Sequence, residues 1–250
     1  MPKLVLLRHG QSEWNAENRF TGWYDCNLTP AGETEARMAG KLLIEAKLIP
    51  DSVHTSLQTR AIRTTELVLE ALEKPNIPVT QSWRLNERHY GDLTGLDKTA
   101  TRKKFGDEQF FAWRRGYSTP PPPINKMNPY NPNTNPQYDN LPKGTVPLTE
   151  CLADVVSRLL PYWENNIAKD LKIKKTVLVS AHGNSLRALC KHLDGIDDKT
   201  IVNLNIPTGI PFLYELDDQL QPLKSLPVLK RALDPKAAHL AAEEVNRQAN

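Results

Sequence analysis

KLVLLRHG, at residues 3–10, joins a continuous apolar run to an arginine, a histidine and a glycine. VLVSAHG, at residues 177–183, repeats this design. A short apolar run that ends abruptly in polar residues predicts a buried strand leading into a loop. In a parallel sheet such loops meet at the carboxyl ends of the strands, where open α/β sheets bind their ligands. The two segments therefore predict a parallel sheet on which His9 and His182 face each other.

Helical patterns alternate with the predicted strands. Thr29 is a predicted N-cap, Pro30 a first helical residue, and apolar residues recur at helical spacing until the chain approaches Pro50. Further helices are predicted over 57–72, 97–105, 107–116 and 150–168, the last with a kink or break at Pro161, and further strands over 52–56 and 211–216. This alternation predicts an α/β fold with a mostly parallel central sheet flanked by helices on both faces.

Length and composition bound the class of protein. The chain has 250 residues, of which 39% are hydrophobic and 24% charged, and its mean hydropathy is −0.51. These values exclude disordered, collagenous and membrane-spanning classes. No apolar run reaches the roughly 18 residues of a transmembrane helix, and the first residues lack the pattern of a signal peptide, so we expect a cytoplasmic protein without a membrane partner.

Charge and cysteine content exclude further classes. The net charge is 32 − 29 = +3, too small an excess to indicate nucleic-acid binding. Three widely spaced cysteines, Cys26, Cys151 and Cys190, form no C-x-x-C pair, so neither a disulfide framework nor a zinc site is expected.

The chain is interpreted as one catalytic domain over 1–234 followed by a C-terminal tail over 235–250. Residues 118–147 are rich in proline and asparagine, which forbids regular structure. A connection this long in a compact domain is usually functional or disordered, so it is either an ordered covering loop or a solvated excursion. The tail, rich in alanine and glutamate, is expected to form a loose terminal helix.

The paired His-Gly motifs suggest phosphoryl chemistry. A neutral imidazole is a competent nucleophile toward phosphorus, and an adjacent glycine lets a phosphoryl group approach backbone N–H groups. Arg8 adjoins one histidine, and Arg60, near the start of a helix, can add a planar fork of donors that matches phosphate. For each histidine taken alone, a packed structural residue is the competing interpretation, which the duplication weakens.

Several motifs in this order make the resemblance specific. They are RHGQSEWN (8–15), FTGW (20–23), the Arg60 segment, LNERHYG (85–91), WRRGY (113–117), AHGNSLR (181–187) and LNIPTGIP (204–211). Together they resemble the cofactor-dependent phosphoglycerate mutases of the histidine phosphatase superfamily, from the first residues to about residue 220. The resemblance implies interconversion of 3-phosphoglycerate and 2-phosphoglycerate with 2,3-bisphosphoglycerate as primer and without a metal. It also implies a minor bisphosphoglycerate synthase or phosphatase side activity.

The same resemblance assigns the site residues. His9 would be the phosphorylated nucleophile, Glu87 the general acid and base, and Arg8, Arg60 and His182 would surround the transferring group. The residues that would bind substrate are Gly10, Gln11, Ser12, Asn15, Thr21, Gly22, Arg88, His89, Tyr90, Lys98, Arg114, Arg115, Gly183 and Asn184. An intermediate with two phosphates and a carboxylate must reorient without escaping, which requires more positive charge than a monophosphatase site. Relatives are commonly dimers or tetramers, so a homo-oligomer is expected.

Alternatives remain for single residues and for the whole site. Without the resemblance, Glu87 would be interpreted as a surface ion pair and Arg115 as a solvated charge. A bisphosphoglycerate synthase or phosphatase could use the same site, although Gly22 and Leu186 favour a mutase. A non-catalytic binder of phosphorylated ligands is the alternative from another class, and the intact His9, His182 and Glu87 argue against it.

Overall fold

A computed structural model describes residues 1–173 and 175–247, with side chains described up to residue 243. The strands are β1 (Lys3–Arg8), β2 (Ser52–Thr55), β3 (Val79–Gln81), β4 (Thr176–Ala181) and β5 (Pro211–Glu215). The α-helices are α1 (Glu13–Ala16), α2 (Pro30–Glu45), α3 (Thr59–Ala71), α4 (Lys98–Phe105), α5 (Asp107–Arg115), α6 (Leu152–Tyr162), α7 (Ala168–Lys172), α8 (Gly183–Asp194) and α9 (Pro235–Arg247). Short 3-10 turns lie at Trp83–Leu85, Gly91–Leu93, Pro132–Thr134, Pro136–Tyr138, Ile201–Asn203 and Val228–Arg231.

The strands form one sheet in the order β3-β2-β4-β1-β5, and only β5 among the described strands runs antiparallel to its neighbour. Alternate residues of β1 enter different cores, because successive strand side chains point to opposite faces. Leu4 and Leu6 pack with α6, α7 and α8, whereas Val5 and Leu7 pack with α2 and α3. The predicted α/β architecture, with a mostly parallel sheet and helices on both faces, is confirmed.

Helix boundaries follow local chemistry. The Thr29 side chain accepts the Gly32 N–H and Pro30 is the first residue of α2, as predicted. At Pro161, where a kink or a break was expected, the helix does not end: α6 includes this proline, and a π turn at Trp163–Ile167 then joins α6 to α7. The tail forms helix α9 up to Arg247, and residues 248–250 of the predicted tail lie outside the described residues.

The adjacency of β1 and β4 positions the site. Their parallel register pairs Arg8 with Ala181, so both strands end at the same level of the sheet. The segments that follow, His9-Gly10 and His182-Gly183, leave the same edge side by side. Helix α3 also begins near this edge, after β2, because β2 is the other neighbour of β4.

Candidate active site

The two histidines are buried against each other at the carboxyl edge of the sheet. The His9 N–H donates to the Ala181 carbonyl at 3.0 Å, and the two imidazole centroids lie 4.9 Å apart at an interplanar angle of 62°. His9 is 2% exposed and His182 is fully buried. The structure thus brings together the two residues that the sequence singled out.

The surroundings of His9 determine which nitrogen can react. Its Nδ1 lies 2.7 Å from the Gly10 carbonyl oxygen, which can only accept a hydrogen bond. The ring hydrogen therefore resides on Nδ1, and Nε2 carries a free lone pair. Burial, and then the positive charges of Arg60 and Arg8, hold the pKa of His9 well below its ordinary value. The imidazole is neutral at physiological pH, which a nucleophile requires.

His182 is oriented by Ser56, a residue that the sequence analysis did not single out. His182 Nε2 lies 2.7 Å from Ser56 Oγ, which also accepts the Gln58 N–H at 3.1 Å. The hydroxyl proton can therefore donate to Nε2, and the ring hydrogen of a neutral His182 then lies on Nδ1. Burial, and then the charge of Arg60, hold the pKa of His182 well below its ordinary value. Within the described part of the chain, Nδ1 is buried without a hydrogen-bond partner.

Backbone carbonyls fix the two arginines beside the histidines. Arg60 donates to the carbonyls of Tyr24 at 3.0 Å and Gly22 at 2.9 Å, and Arg8 donates to the Ile206 carbonyl at 2.8 Å. Gly22 adopts a φ of +57°, which glycine tolerates best. Neutral partners orient these guanidinium groups without neutralising their charge, so both remain available to an anion.

Glu87 faces the cavity and forms no surface ion pair with Arg88. Its Oε1 accepts the Arg88 N–H at 2.7 Å and the Asn184 N–H at 3.1 Å, and Glu87 is 8% exposed. The Arg88 guanidinium instead lies 4.5 Å above the Tyr90 ring and donates to the Arg114 carbonyl. Glu87 is therefore a buried carboxylate beside the amino end of α8.

These groups line a cavity that opens to solvent. Seven lining residues carry a guanidinium or ammonium group, and Glu87 is the one carboxylate among the described residues that line it. The seven cations are Arg8, Arg19, Arg60, Lys98, Arg114, Arg115 and Arg187. Burial, and then the neighbouring Arg114, lower the pKa of Lys98 to about 7. This concentration of like charge fits a ligand with several negative groups.

The cavity contains most, but not all, of the sequence-predicted residues. Those that line it are Arg8, His9, Asn15, Thr21, Gly22, Arg60, Glu87, Tyr90, Lys98, Arg114, Arg115, Gly183 and Asn184. Arg115 is thus not simply a solvated charge: burial, and then Arg114, hold its pKa well below the ordinary value.

Six predicted site residues lie outside the lining formed by the described residues: the fully buried His182, whose ring packs against that of His9, and the binding residues Gly10, Gln11, Ser12, Arg88 and His89. The Ser12 side chain caps α1, and the Gln11 side chain accepts the Thr29 hydroxyl. His89 is a correction, because its fully buried ring accepts the Gly91 N–H on Nδ1 and thereby shapes the turn after Tyr90. Its assignment to substrate binding came from its place in a motif, and the motif positions its neighbours instead.

Several lining residues were missed by sequence reasoning: Arg19, Phe20, Arg187, Asn205 and Ile206. Each lies within or beside a quoted motif but carries no signal of its own. Arg187 could have been found from helical spacing, since it follows Asn184 by three positions and residues at this spacing share a helix face.

The predicted covering loop, 118–147, is attached to the rim of the cavity. Tyr130 packs in T-shaped contacts on Trp14 and Tyr24, and its hydroxyl accepts from Arg19 at 3.3 Å. Tyr138 donates to the Trp23 carbonyl at 3.0 Å. Both anchor points lie on the segment that carries Thr21 and Gly22, so the loop braces one wall of the site.

Among the side chains described, those of residues 1–173 and 175–243, no cluster of three or more His, Cys, Asp or Glu could hold a metal ion. None of the helices in that part of the chain combines the length and the apolar character needed to cross a bilayer.

Comparisons with known proteins agree with this geometry. The sequence profile of the histidine phosphatase superfamily (branch 1) matches residues 4–224. A 2,3-bisphosphoglycerate-dependent phosphoglycerate mutase of Thermobifida fusca (strain YX) is 58% identical over 248 residues, which cover 99% of each chain. The protein of the same description from Rhodococcus jostii (strain RHA1) is 57% identical over 98% of this chain and 96% of its own.

Solved structures share the fold at low sequence identity. A mycobacterial glucosyl-3-phosphoglycerate phosphatase superposes with a TM-score of 0.66 at 24% identity, over 86% of this chain and 93% of its own. Bacillus stearothermophilus YhfR superposes with a TM-score of 0.64 at 24% identity, over 86% and 91%. These two likenesses concern the fold alone.

Proposed function

The chain belongs to the histidine phosphatase superfamily (branch 1), and on that premise we propose that it interconverts 3-phosphoglycerate and 2-phosphoglycerate as a 2,3-bisphosphoglycerate-dependent phosphoglycerate mutase. The observation that carries this proposal is the cavity, in which seven cations and one carboxylate surround a neutral His9. A bound species with two phosphates and a carboxylate would balance that charge. The full-length similarity to phosphoglycerate mutases at 57–58% identity supports the same reaction.

The first step is phosphoryl transfer to His9. Nε2 attacks phosphorus, the N–P bond forms and the P–O bond to the glycerate breaks, while the Gly10 carbonyl holds the Nδ1 proton. Arg8, Arg60 and the Nδ1–H of His182 stabilise the charge on the phosphoryl oxygens, as positioning and electrostatics dominate such transfers. When bound, 2,3-bisphosphoglycerate supplies the phosphoryl group that charges His9.

Glu87 handles the proton of the glycerate oxygen. As the P–O bond breaks, the carboxylic acid form of Glu87 protonates the leaving alkoxide, and the carboxylate form removes a proton when a substrate hydroxyl attacks phosphohistidine. Lys98, Arg114, Arg115 and Tyr90 hold the carboxylate and the non-reacting phosphate. Because these groups retain the bisphosphate, it can reorient within the site and deliver its other phosphate to His9.

The hydrolytic alternative uses the same intermediate. Water that reaches phosphohistidine releases phosphate, which gives a minor bisphosphoglycerate phosphatase activity. Transfer of the phosphoryl group from His9 to the substrate, followed by release of the bisphosphate before it returns a phosphoryl group to His9, gives a synthase activity. In this proposal residues 1–234 form the catalytic unit, and the tail after Asp234 limits the access of water to phosphohistidine.

We further infer that the protein works in the cytoplasm, where phosphoglycerates are metabolised, and that it self-associates. Strand β3 lies at the edge of the sheet, Val79 is 41% exposed, and a mainly apolar groove separates β3 from α3. Antiparallel pairing of two β3 strands about a twofold axis would cover this edge. Light scattering on the protein as it elutes from a size-exclusion column measures the mass of the assembly. We expect the wild type to be a dimer and Val79→Lys to be a monomer.

The direct test of the proposed function is a primed assay. Conversion of 3-phosphoglycerate to 2-phosphoglycerate is measured with and without 2,3-bisphosphoglycerate, in the presence of a chelator. We expect activity that needs the primer and persists in chelator, because the described side chains supply both nucleophile and charge stabilisation. Loss of activity in chelator, or full activity after exhaustive dephosphorylation without primer, would refute the proposal.

A further inference from the structure

Arg187 is a buried cation of the cavity to which the proposed mechanism gives no role. It lies on α8, three residues after Asn184, lines the cavity and is 2% exposed. Of its motif, HGNSLR, the residues that the sequence singled out were His182, Gly183, Asn184 and Leu186, not Arg187. Its contacts indicate a role of its own.

The first contact fixes the orientation of the Asn184 amide. Arg187 Nη1 donates to Asn184 Oδ1 at 2.7 Å, and a guanidinium group can only donate, so the amide oxygen must face Arg187. The amide nitrogen then faces the opposite way, where Nδ2 donates to the Tyr90 hydroxyl at 3.1 Å. Arg187 thereby turns the donor end of Asn184 toward Tyr90, another residue of the cavity wall.

The second set of contacts connects three segments of the wall. Arg187 Nη2 donates to the Ile201 carbonyl at 2.7 Å and to the Arg115 carbonyl at 3.4 Å. Arg115 ends helix α5, and Ile201 begins the turn that leads to Ile206, whose carbonyl holds Arg8. A single guanidinium group therefore sets the distance between α8, the end of α5 and the 201–206 segment.

The charge of Arg187 is not neutralised by the protein around it. In the described part of the chain it forms no ion pair, and the oxygens it donates to are neutral. Burial, and then the positive charge of Arg88, lower the pKa of Arg187 to about 10, so it remains charged at neutral pH. An uncompensated buried cation is costly, and an anionic ligand in the cavity would offset that cost.

We propose that Arg187 is a positioning residue for the anionic substrate: it orients the Asn184 amide and holds the Arg115 backbone, and so sets the affinity for phosphoglycerate more than the rate of phosphoryl transfer. This inference rests on the proposed function for the identity of the ligand. The matched control is Arg231, another buried arginine, which pairs with Asp194 at the far end of α8 and lies outside the cavity lining.

The test compares Arg187→Met, Arg187→Lys, Asn184→Ala, the double variant Arg187→Met/Asn184→Ala and Arg231→Met. KM and kcat are measured with saturating primer, and the dissociation constant of 3-phosphoglycerate by calorimetry. For Arg187→Met we expect KM and the dissociation constant to rise about tenfold or more, as for loss of a charged hydrogen bond, with a smaller change in kcat. The KM of Arg187→Lys should lie between those of the wild type and Arg187→Met, because an ammonium group keeps the charge but cannot reproduce the planar fork of donors. Arg231→Met should leave KM unchanged.

The double variant separates positioning from general destabilisation. If Arg187 acts through Asn184, Arg187→Met will raise KM less in the Asn184→Ala background than in the wild type. A KM for Arg187→Met within twofold of the wild type, or effects that multiply fully in the double variant, would overturn the inference. If Arg187→Met does not fold, the comparison uses Arg187→Lys, for which an unchanged KM overturns it equally. A wild-type protein that binds 3-phosphoglycerate without primed turnover would refute the proposed function, while the dissociation constants still decide the role of Arg187.

Discussion

At the scale of single residues, the site depends on neutral histidines whose ring hydrogens are placed by fixed acceptors and donors. Gly10 places the hydrogen of His9 on Nδ1, and Ser56 does the equivalent for His182. Both imidazoles are kept neutral by burial and by nearby arginines. In the proposed mechanism, the arginines that stabilise the transferring phosphoryl group therefore also keep the nucleophilic His9 unprotonated.

Ser56→Ala tests the orientation of His182. Removing the hydroxyl leaves Nε2 without its partner, so His182 loses the preference that places a hydrogen on Nδ1. The loss of one hydrogen bond of about 1 kcal/mol predicts a fall in the rate of His9 phosphorylation of roughly fivefold to tenfold, with little change in KM. Rapid-quench kinetics measure this rate. A Ser56→Ala rate equal to that of the wild type would contradict the assigned role, and Ser56→Thr, which keeps the hydroxyl, is the control.

Lys98 predicts the pH dependence of substrate binding. Its pKa in the empty site is about 7, lowered first by burial. A bound anion favours the charged form and raises this pKa, so binding takes up a proton and weakens as pH rises above 7, by at most about tenfold per pH unit. The dissociation constant of 3-phosphoglycerate between pH 6 and 9 measures the slope. Lys98→Met should flatten that slope, and an unchanged slope in this variant would exclude Lys98 as its source.

At the scale of elements, the loop after β1 is seated directly on the first turn of α2. A Cβ at Gly10 would lie 2.1 Å from the Gly32 carbonyl oxygen, and a Cβ at Gly32 would lie 2.1 Å from the Gln11 carbonyl oxygen. The two backbones therefore approach to a distance that only glycine permits. This contact fixes Gly10, and with it the carbonyl that orients His9.

Gly32→Ala should reverse the usual effect of such a substitution. Glycine to alanine within a helix normally stabilises a protein by about 0.5–1 kcal/mol. Here the added Cβ meets backbone that must shift, and we expect the free energy of unfolding to fall by about 1–3 kcal/mol. Chemical denaturation measures the change, and a stabilised variant would show that the loop and helix are not in close contact.

The tail is the second element whose effect can be measured. Helix α9 forms one side of a groove that extends past α2 to Arg8 at the cavity. Since mutase activity requires exclusion of water from phosphohistidine, deleting 235–250 should lower mutase turnover far more than phosphatase turnover. His9 should still become phosphorylated, which controls for folding. A mutase-to-phosphatase ratio equal to that of the full chain would show that the tail does not control water.

At the scale of the whole molecule, the sequence predicted what periodicity and turn chemistry encode. The apolar runs before His9 and His182 identified the central strands, and the Thr29-Pro30 pair identified the start of α2. Strand β3 was not predicted, because its three exposed residues carry no alternating pattern and pair only where β2 provides an edge.

The site was predicted through motifs and corrected through contacts. His89 was assigned to binding because it lies in a motif, whereas the structure directs its ring into the turn. Ser56 and Arg187 were missed because a serine at the end of a strand and an arginine within a helix are common, and only the tertiary structure brings them to His182 and Asn184.

The fate of phosphate on His9 tests the proposed phosphohistidine mechanism most directly. The protein is charged with labelled 2,3-bisphosphoglycerate, analysed by mass spectrometry, and then chased with 3-phosphoglycerate, with His9→Ala as the control. We predict one acid-labile phosphate per chain on His9, none on the His9→Ala protein, and transfer of the label to phosphoglycerate during the chase. Stoichiometric histidine phosphate on the His9→Ala protein, or label released only as inorganic phosphate, would contradict it.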